Sequence, residues 1–121
     1  MPKRKSHKKK KPNLLERAMA GNVKAMYSLG EKIYSDRNSE WHDPNDPNVF
    51  AEAFMWFKLA AEGGDVRAIE RLGWMYATGQ GVEKNFSKGI NLLKEAEEKG
   101  SKDAGNLITI LQNIAKKFNA S

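Results

Sequence analysis

The stretch Gly64-Asp65-Val66-Arg67-Ala68-Ile69-Glu70-Arg71-Leu72-Gly73 repeats an earlier one, Gly21-Asn22-Val23-Lys24-Ala25-Met26-Tyr27-Ser28-Leu29-Gly30. A third copy begins at Gly100-Ser101-Lys102-Asp103-Ala104 and then diverges. The leading glycines stand 43 and then 36 residues apart. Self-similarity at a period of about 20–50 residues marks a solenoid, whose units bury their apolar faces only against their neighbours. An all-α solenoid of helix pairs is therefore expected. Such folds expose long surfaces that suit the holding of other proteins.

Working outward from the copies, local signals place the helices. Pro12 and Asn13 stand where a helix can begin, and Leu14 to Ala20 reads as its end, closed by Gly21. Asn22 and Asp65 are N-cap residues for the first helices, A, of two successive pairs. The first A helix carries Ala25, Met26, Leu29, Gly30 and Ile33 to about Tyr34; the second carries Ala68, Ile69, Leu72, Met75 and Tyr76. Ser35 to Asn48 holds Asp43-Pro44 and Asp46-Pro47 and reads as a loop. A second helix, B, is expected from Pro47 to Glu62, capped by Asp46. Its apolar stripe runs through Phe50, Ala53, Phe54, Trp56, Phe57, Ala60 and Ala61. After the Gly79-Gln80-Gly81-Val82 turn, the next B helix spans about Asn85 to Lys99, with Phe86, Ile90, Leu92, Leu93 and Ala96 inward. A last helix is expected from Lys102 to about Phe118.

At 121 residues the chain holds one domain and a tail. The net charge of +6 is unevenly placed. Lys3, Arg4, Lys5, Lys8, Lys9, Lys10 and Lys11 give the first eleven residues seven positive charges and no acid, which leaves the rest at −1. With no apolar residue after Met1, residues 1–11 are expected to be disordered, and residues 12–119 to form the repeat domain. There is no cysteine, so neither disulfides nor thiolate metal sites arise. No apolar run approaches the ~20 residues that span a bilayer. No apolar segment of a secretory signal follows the basic start. The expected compartment is the cytosol, or the nucleus in a eukaryotic host.

The second copy, Ala68-x3-Leu72-Gly73-x2-Tyr76-x2-Gly79-x-Gly81-Val82 followed by Glu95-Ala96 and Gly100, resembles the Sel1-like repeat, a relative of the tetratricopeptide repeat. Ala53-x2-Trp56-x3-Ala60-Ala61-x2-Gly64 matches its usual second-helix pattern. The resemblance covers residues 13–118, with repeats at about 22–64 and 65–100 and half-repeats at both ends. It implies two antiparallel helices per unit and the role of adaptor or scaffold. It carries over no catalytic residue. The first unit departs from the pattern by a seven-residue insertion in place of the Gly-x-Gly-Val turn, and by Ile33 where the motif has tyrosine. The third copy has Ile108-Thr109 for Leu-Gly.

Three regions are candidate sites. The outer face of the A helices carries Arg67, Glu70, Arg71 and Trp74, with Lys24, Tyr27, Ser28 and Glu31 one repeat earlier. An exposed tryptophan beside two arginines has the composition of a binding hot spot. The alternative is that Trp74 packs against the next repeat and the charges are solvated. In the inserted loop, Trp41 is either a partner anchor or a cover for the first helix pair; His42 has no metal-ligand pattern around it. The basic tail, with Pro2-Lys3-Arg4-Lys5 resembling a nuclear localisation signal, suits sequence-independent polyanion contact or simple solubility. Leu107, Ile110, Leu111, Ile114 and Phe118 give the last helix more apolar positions than one stripe needs, so a homodimer through it is expected. No enzyme, cofactor or metal role is expected. The two histidines lack a nucleophile's setting, Glu97-Glu98 lies on a helix surface, and Gly79-Gln80-Gly81 lacks the strand and lysine of a phosphate loop.

Overall fold

A computed structural model describes residues 10–37, 48 and 50–119. Among these residues there are six helices and no strand: α1 Leu14–Met19, α2 Val23–Arg37, α3 Ala51–Glu62, α4 Val66–Thr78, α5 Phe86–Glu98 and α6 Ala104–Asn119. Each packs on the next along the chain, and α4 also touches α6. The A helices are α2, α4 and α6; the B helices are α3 and α5, with α1 as a preceding half-unit.

Side-chain caps set most helix starts. The Asn13 side chain accepts from the Glu16 N–H at 2.8 Å, while the Asn13 N–H donates to Glu16 Oε1 at 2.9 Å. Asn22 Oδ1 accepts from the Ala25 N–H, Asp65 Oδ1 from the Arg67 and Ala68 N–H groups, and Asn85 Oδ1 from the Lys88 N–H. Each cap contributes about 1 kcal/mol. Gly64 and its counterparts Gly21 and Gly100 follow B helices with φ between 96° and 103°, a region open to glycine at little cost.

Three boundaries differ from the sequence expectation. α3 begins at Ala51, four residues after Pro47, and its N-cap Phe50 makes no side-chain cap bond. Packing sets this start: a Cβ on Gly81 would stand 2.5 Å from the Phe50 carbonyl oxygen and 3.1 Å from Phe54 Cβ. The backbone at the head of α3 is therefore seated on the turn after α4. Asp46 and Pro47 lie outside the described residues. α2 runs three residues past Tyr34 into the expected loop. α6 starts at Ala104 rather than Lys102, with the Ser101 hydroxyl accepting from the Ala104 N–H.

The core forms three successive clusters. Ala18, Ala25 and Leu29 make the first. Ala53, Phe57, Ala60, Ala68, Leu72 and Met75 make the second. The third joins α4, α5 and α6 through Ile69, Ala77, Ile90, Leu93, Ala104 and Leu111, among others. No polar or charged residue is buried among the described residues. Helix spacing is set by small residues. A Cβ on Gly73 would meet Leu93 Cγ at 2.8 Å, and one on Gly89 would meet the Gly73 carbonyl at 2.5 Å and the Ala77 nitrogen at 2.6 Å.

These contacts separate two uses of glycine. Gly89→Ala should lower stability by at least about 2 kcal/mol, despite the roughly 1 kcal/mol it gains in helix propensity, because backbone must move. Gly64→Ala meets no atom within 4 Å and should cost only about 1 kcal/mol, from its left-handed conformation. Urea unfolding of the two variants checks the order.

Candidate functional site

The 3.6-residue period puts Lys24, Tyr27, Ser28 and Glu31 on one side of α2, and Arg67, Glu70, Arg71 and Trp74 on the matching side of α4. The structure draws four of these together across the two repeats. The Arg67 guanidinium lies over the Tyr27 ring, 4.1 Å from its centroid. Its Nη2 also reaches Asp65 Oδ2 at 3.0 Å, so the residue that caps α4 holds this arginine as well. Arg71 Nε stands 2.7 Å from Glu31 Oε1, and its Nη2 donates to Glu31 Oε2 at 3.0 Å. The Arg71 guanidinium also sits 5.7 Å from the Tyr34 ring centroid. Lys24 and Ser28 are exposed on the same face.

Tyr34 and Gln80 complete this cluster, and neither was among the sequence candidates. The Tyr34 hydroxyl donates to Gln80 Oε1 at 2.7 Å, tying the end of α2 to the turn after α4. Beneath them the Tyr27 ring packs on Phe57 at 5.7 Å between centroids, and the Tyr34 ring on Phe50 at 5.0 Å. Tyr34 could have been flagged from its place next to the expected motif tyrosine position; nothing local marks Gln80.

Burial sets the electrostatics. It raises the Tyr27 phenol above its ordinary value, helped by the Glu31 charge, with Arg71 and Arg67 pulling it down. Burial raises the Tyr34 phenol as well, with the charge of Arg71 pulling it down. For Arg71, burial pulls its pKa down, but the hydrogen bond and charge of Glu31 more than offset this, and it stays cationic. Its side chain is 39% exposed and that of Glu31 31%, so the ion pair is intermediate between a surface and a core pair.

The other two candidates turn toward the next repeat. Glu70 Oε2 accepts from the Ser101 hydroxyl at 3.2 Å. Trp74, for which an exposed anchor and packing against the next repeat were the two readings, is half-buried and packs on the third core cluster. The repeat offsets explain the change. Trp74 occupies the position of Glu31, and Leu107 that of Arg71. Where α2 meets α4 these positions hold an ion pair; where α4 meets α6 they hold two apolar side chains, both packed on the same cluster. Trp41 and His42 lie outside the described residues, as do Lys3, Arg4, Lys5, Lys8 and Lys9 of the tail; Lys10 and Lys11 are exposed. On α6, Ile110, Ile114 and Phe118 are exposed.

The Sel1 repeat family matches residues 23–65 and 66–101, and the chain belongs to that family. Its members generally serve as protein–protein interaction modules. The fold is similar to that of c5321, a protective antigen present in uropathogenic Escherichia coli strains and displaying an SLR fold. The two share 32% identity and a TM-score of 0.62 over 76% of this chain and 18% of that one. It is similar also to a Sel1 repeat protein from Oxalobacter formigenes, with 32% identity and a TM-score of 0.60 over 78% of this chain and 66% of that one. The chain thus spans less than two thirds of either structure's length.

Two outcomes test the cluster. In a double-mutant cycle, Glu31→Ala and Arg71→Ala should show a coupling of about 1 kcal/mol in urea unfolding; a value near zero would make the pair a solvated decoration. With both phenols raised, the folded state keeps protons that the unfolded chain loses, so their contribution is complete below pH 10.0, their ordinary value, and is lost as pH rises toward the folded values. Urea midpoints should therefore fall more steeply from about pH 9 to about pH 11 in the parent than in a Tyr27→Phe, Tyr34→Phe variant.

Proposed function

We propose that this member of the Sel1 repeat family is a protein-interaction module that takes its partner on the shared face of α2 and α4. In helix-pair solenoids the A helices line the concave side, and the reading takes Lys24, Tyr27, Glu31, Arg67, Glu70, Arg71 and Trp74 of α2 and α4 as that surface. The observation that carries the reading is the pre-ordering of Arg67 and Arg71. Arg67 is held by Asp65 and the Tyr27 ring while its side chain is 57% exposed, and Arg71 is held by Glu31. Arginine and tyrosine dominate interface hot spots. Side chains already fixed in the free protein spare the complex about 0.5–1.5 kcal/mol of ordering cost each. A scaffold role fits a face of donors and rings with no nucleophile–base pair. No helix among the described residues is long and apolar enough to cross a membrane.

The competing reading is sequence-independent polyanion contact through the seven charges of residues 1–11. Salt separates the two, since counterion release makes tail-driven binding fall steeply between low and physiological salt. The test is retention of host-lysate proteins at physiological salt after nuclease treatment. The full chain, a version lacking residues 1–11, and a Lys24→Glu, Arg67→Glu variant are compared. A protein kept by the first two and lost from the third is the expected result. Recovery that needs the tail and disappears with nuclease overturns the A-helix reading.

A further inference from the structure

The repeat offsets place Tyr34 and Phe50 of the first unit at Ala77 and Phe86 of the second, and Gln80 of the second unit at Lys116 of the third copy. In the first unit the Tyr34 ring fills the space between helices, against Phe50 and Phe57, with its hydroxyl on Gln80. In the second unit an alanine stands there, and the space is open. It forms a groove of about 580 Å³ whose walls include Trp74, Phe86, Leu111, Ile114 and Phe118. Phe118 is 75% and Ile114 47% exposed.

The groove's lining carries positive charge. Lys84 is the one charged residue lining it among the described residues, and Lys116 and Lys117 close the last turn of α6. Glu83, next to Lys84, is exposed and does not line it. α6 carries Lys116 and Lys117 and no carboxylate, so a second copy of it offers Lys84 no ionic partner. An apolar segment edged with carboxylates is complementary.

We propose that this groove is a docking site for an acidic amphipathic segment of another protein. The segment sets a large apolar side chain where Tyr34 sits one repeat earlier, and its carboxylates meet Lys84 at the rim. This is helix-in-groove recognition, with the anchor fixing register and the rim fixing charge preference. It goes beyond the A-helix reading, with which it shares only Trp74, and it stands or falls separately.

The test uses two labelled synthetic helical peptides with the same leucine-rich apolar face. One carries glutamate on its polar face and the other lysine. Binding to the full chain is followed by fluorescence anisotropy at physiological salt. The glutamate peptide should bind at least about tenfold more tightly than the lysine peptide. Phe118→Ala and Lys84→Glu should each weaken it about tenfold, while Lys24→Glu with Arg67→Glu leaves it unchanged. Phe118 is mostly exposed, so its variant keeps the fold, which circular dichroism verifies; Ile114→Gln gives a second probe of the same wall. Equal affinity for the two peptides overturns the proposal. So does indifference to both Phe118→Ala and Ile114→Gln, which would put the peptide on the basic tail. Light scattering that shows a dimer dissolved by Phe118→Ala overturns it too, by making a second copy the occupant.

Discussion

Backbone-to-backbone approach of α4 and α5 at Gly73 and Gly89 is the constraint on which the solenoid depends. A methyl group on Gly89 would overlap the Gly73 carbonyl and the Ala77 nitrogen. At that separation Met75 of the second core cluster and Leu93 of the third become fully buried. The first unit reaches the same spacing differently. Gly30 leaves room for the Phe57 ring, which a Cβ there would meet at 2.9 Å. Ala68 and Ala104 start the A helices with no exposed surface, and Ala60 and Ala96 do the same near the ends of the B helices. Small residues contribute little transfer free energy themselves, but by letting helices close they place the large apolar side chains in dense contact.

Those small residues made the fold legible in the sequence. Caps and glycines act within a turn or two of themselves, so Asn22, Asp65, Asn85, Gly64 and Gly79 do locally what their identity predicts. The start of α3 was not legible for the opposite reason. Asp46-Pro47 is a strong local start signal, yet α3 begins where Phe50 and Phe54 meet Gly81, thirty residues along the chain. A contact that distant leaves no trace in the preceding residues. Gln80 was missed in the same way, because only the reach of Tyr34 across two repeats gives it a role.

The site was half legible. Periodicity placed Tyr27, Glu31, Arg67 and Arg71 on matching faces, but single-helix reasoning cannot say which member of a face pairs with the next helix. Trp74 shows the consequence. Composition leaves it between an exposed anchor and a residue packed on the next repeat, and its repeat-equivalent, Glu31, which faces a neighbouring A helix, decides for the second. Aligning the copies position by position predicts that Trp74 turns toward α6, since whatever Glu31 does at one junction Trp74 must do at the next.

Equivalent positions carry different chemistry at the two junctions, and this gives the surface its two characters. Between α2 and α4, a carboxylate, two guanidinium groups and two phenols occupy the seam. Each constrains another, so the seam is filled and its polar groups are presented in fixed directions. Between α4 and α6, replacing Tyr34 by Ala77 and Glu31–Arg71 by Trp74–Leu107 removes both the filler and the ion pair. Apolar walls remain, and a ring-sized space stays open beside Phe86 and Ile114. The filled seam favours recognition by directed hydrogen bonds and stacking, with little reorganisation. The open one favours burial of an incoming apolar group, at about 25 cal/mol per Å² removed from water. One repeated backbone thus supports two modes of contact, because its geometry is held by residues that neither seam uses.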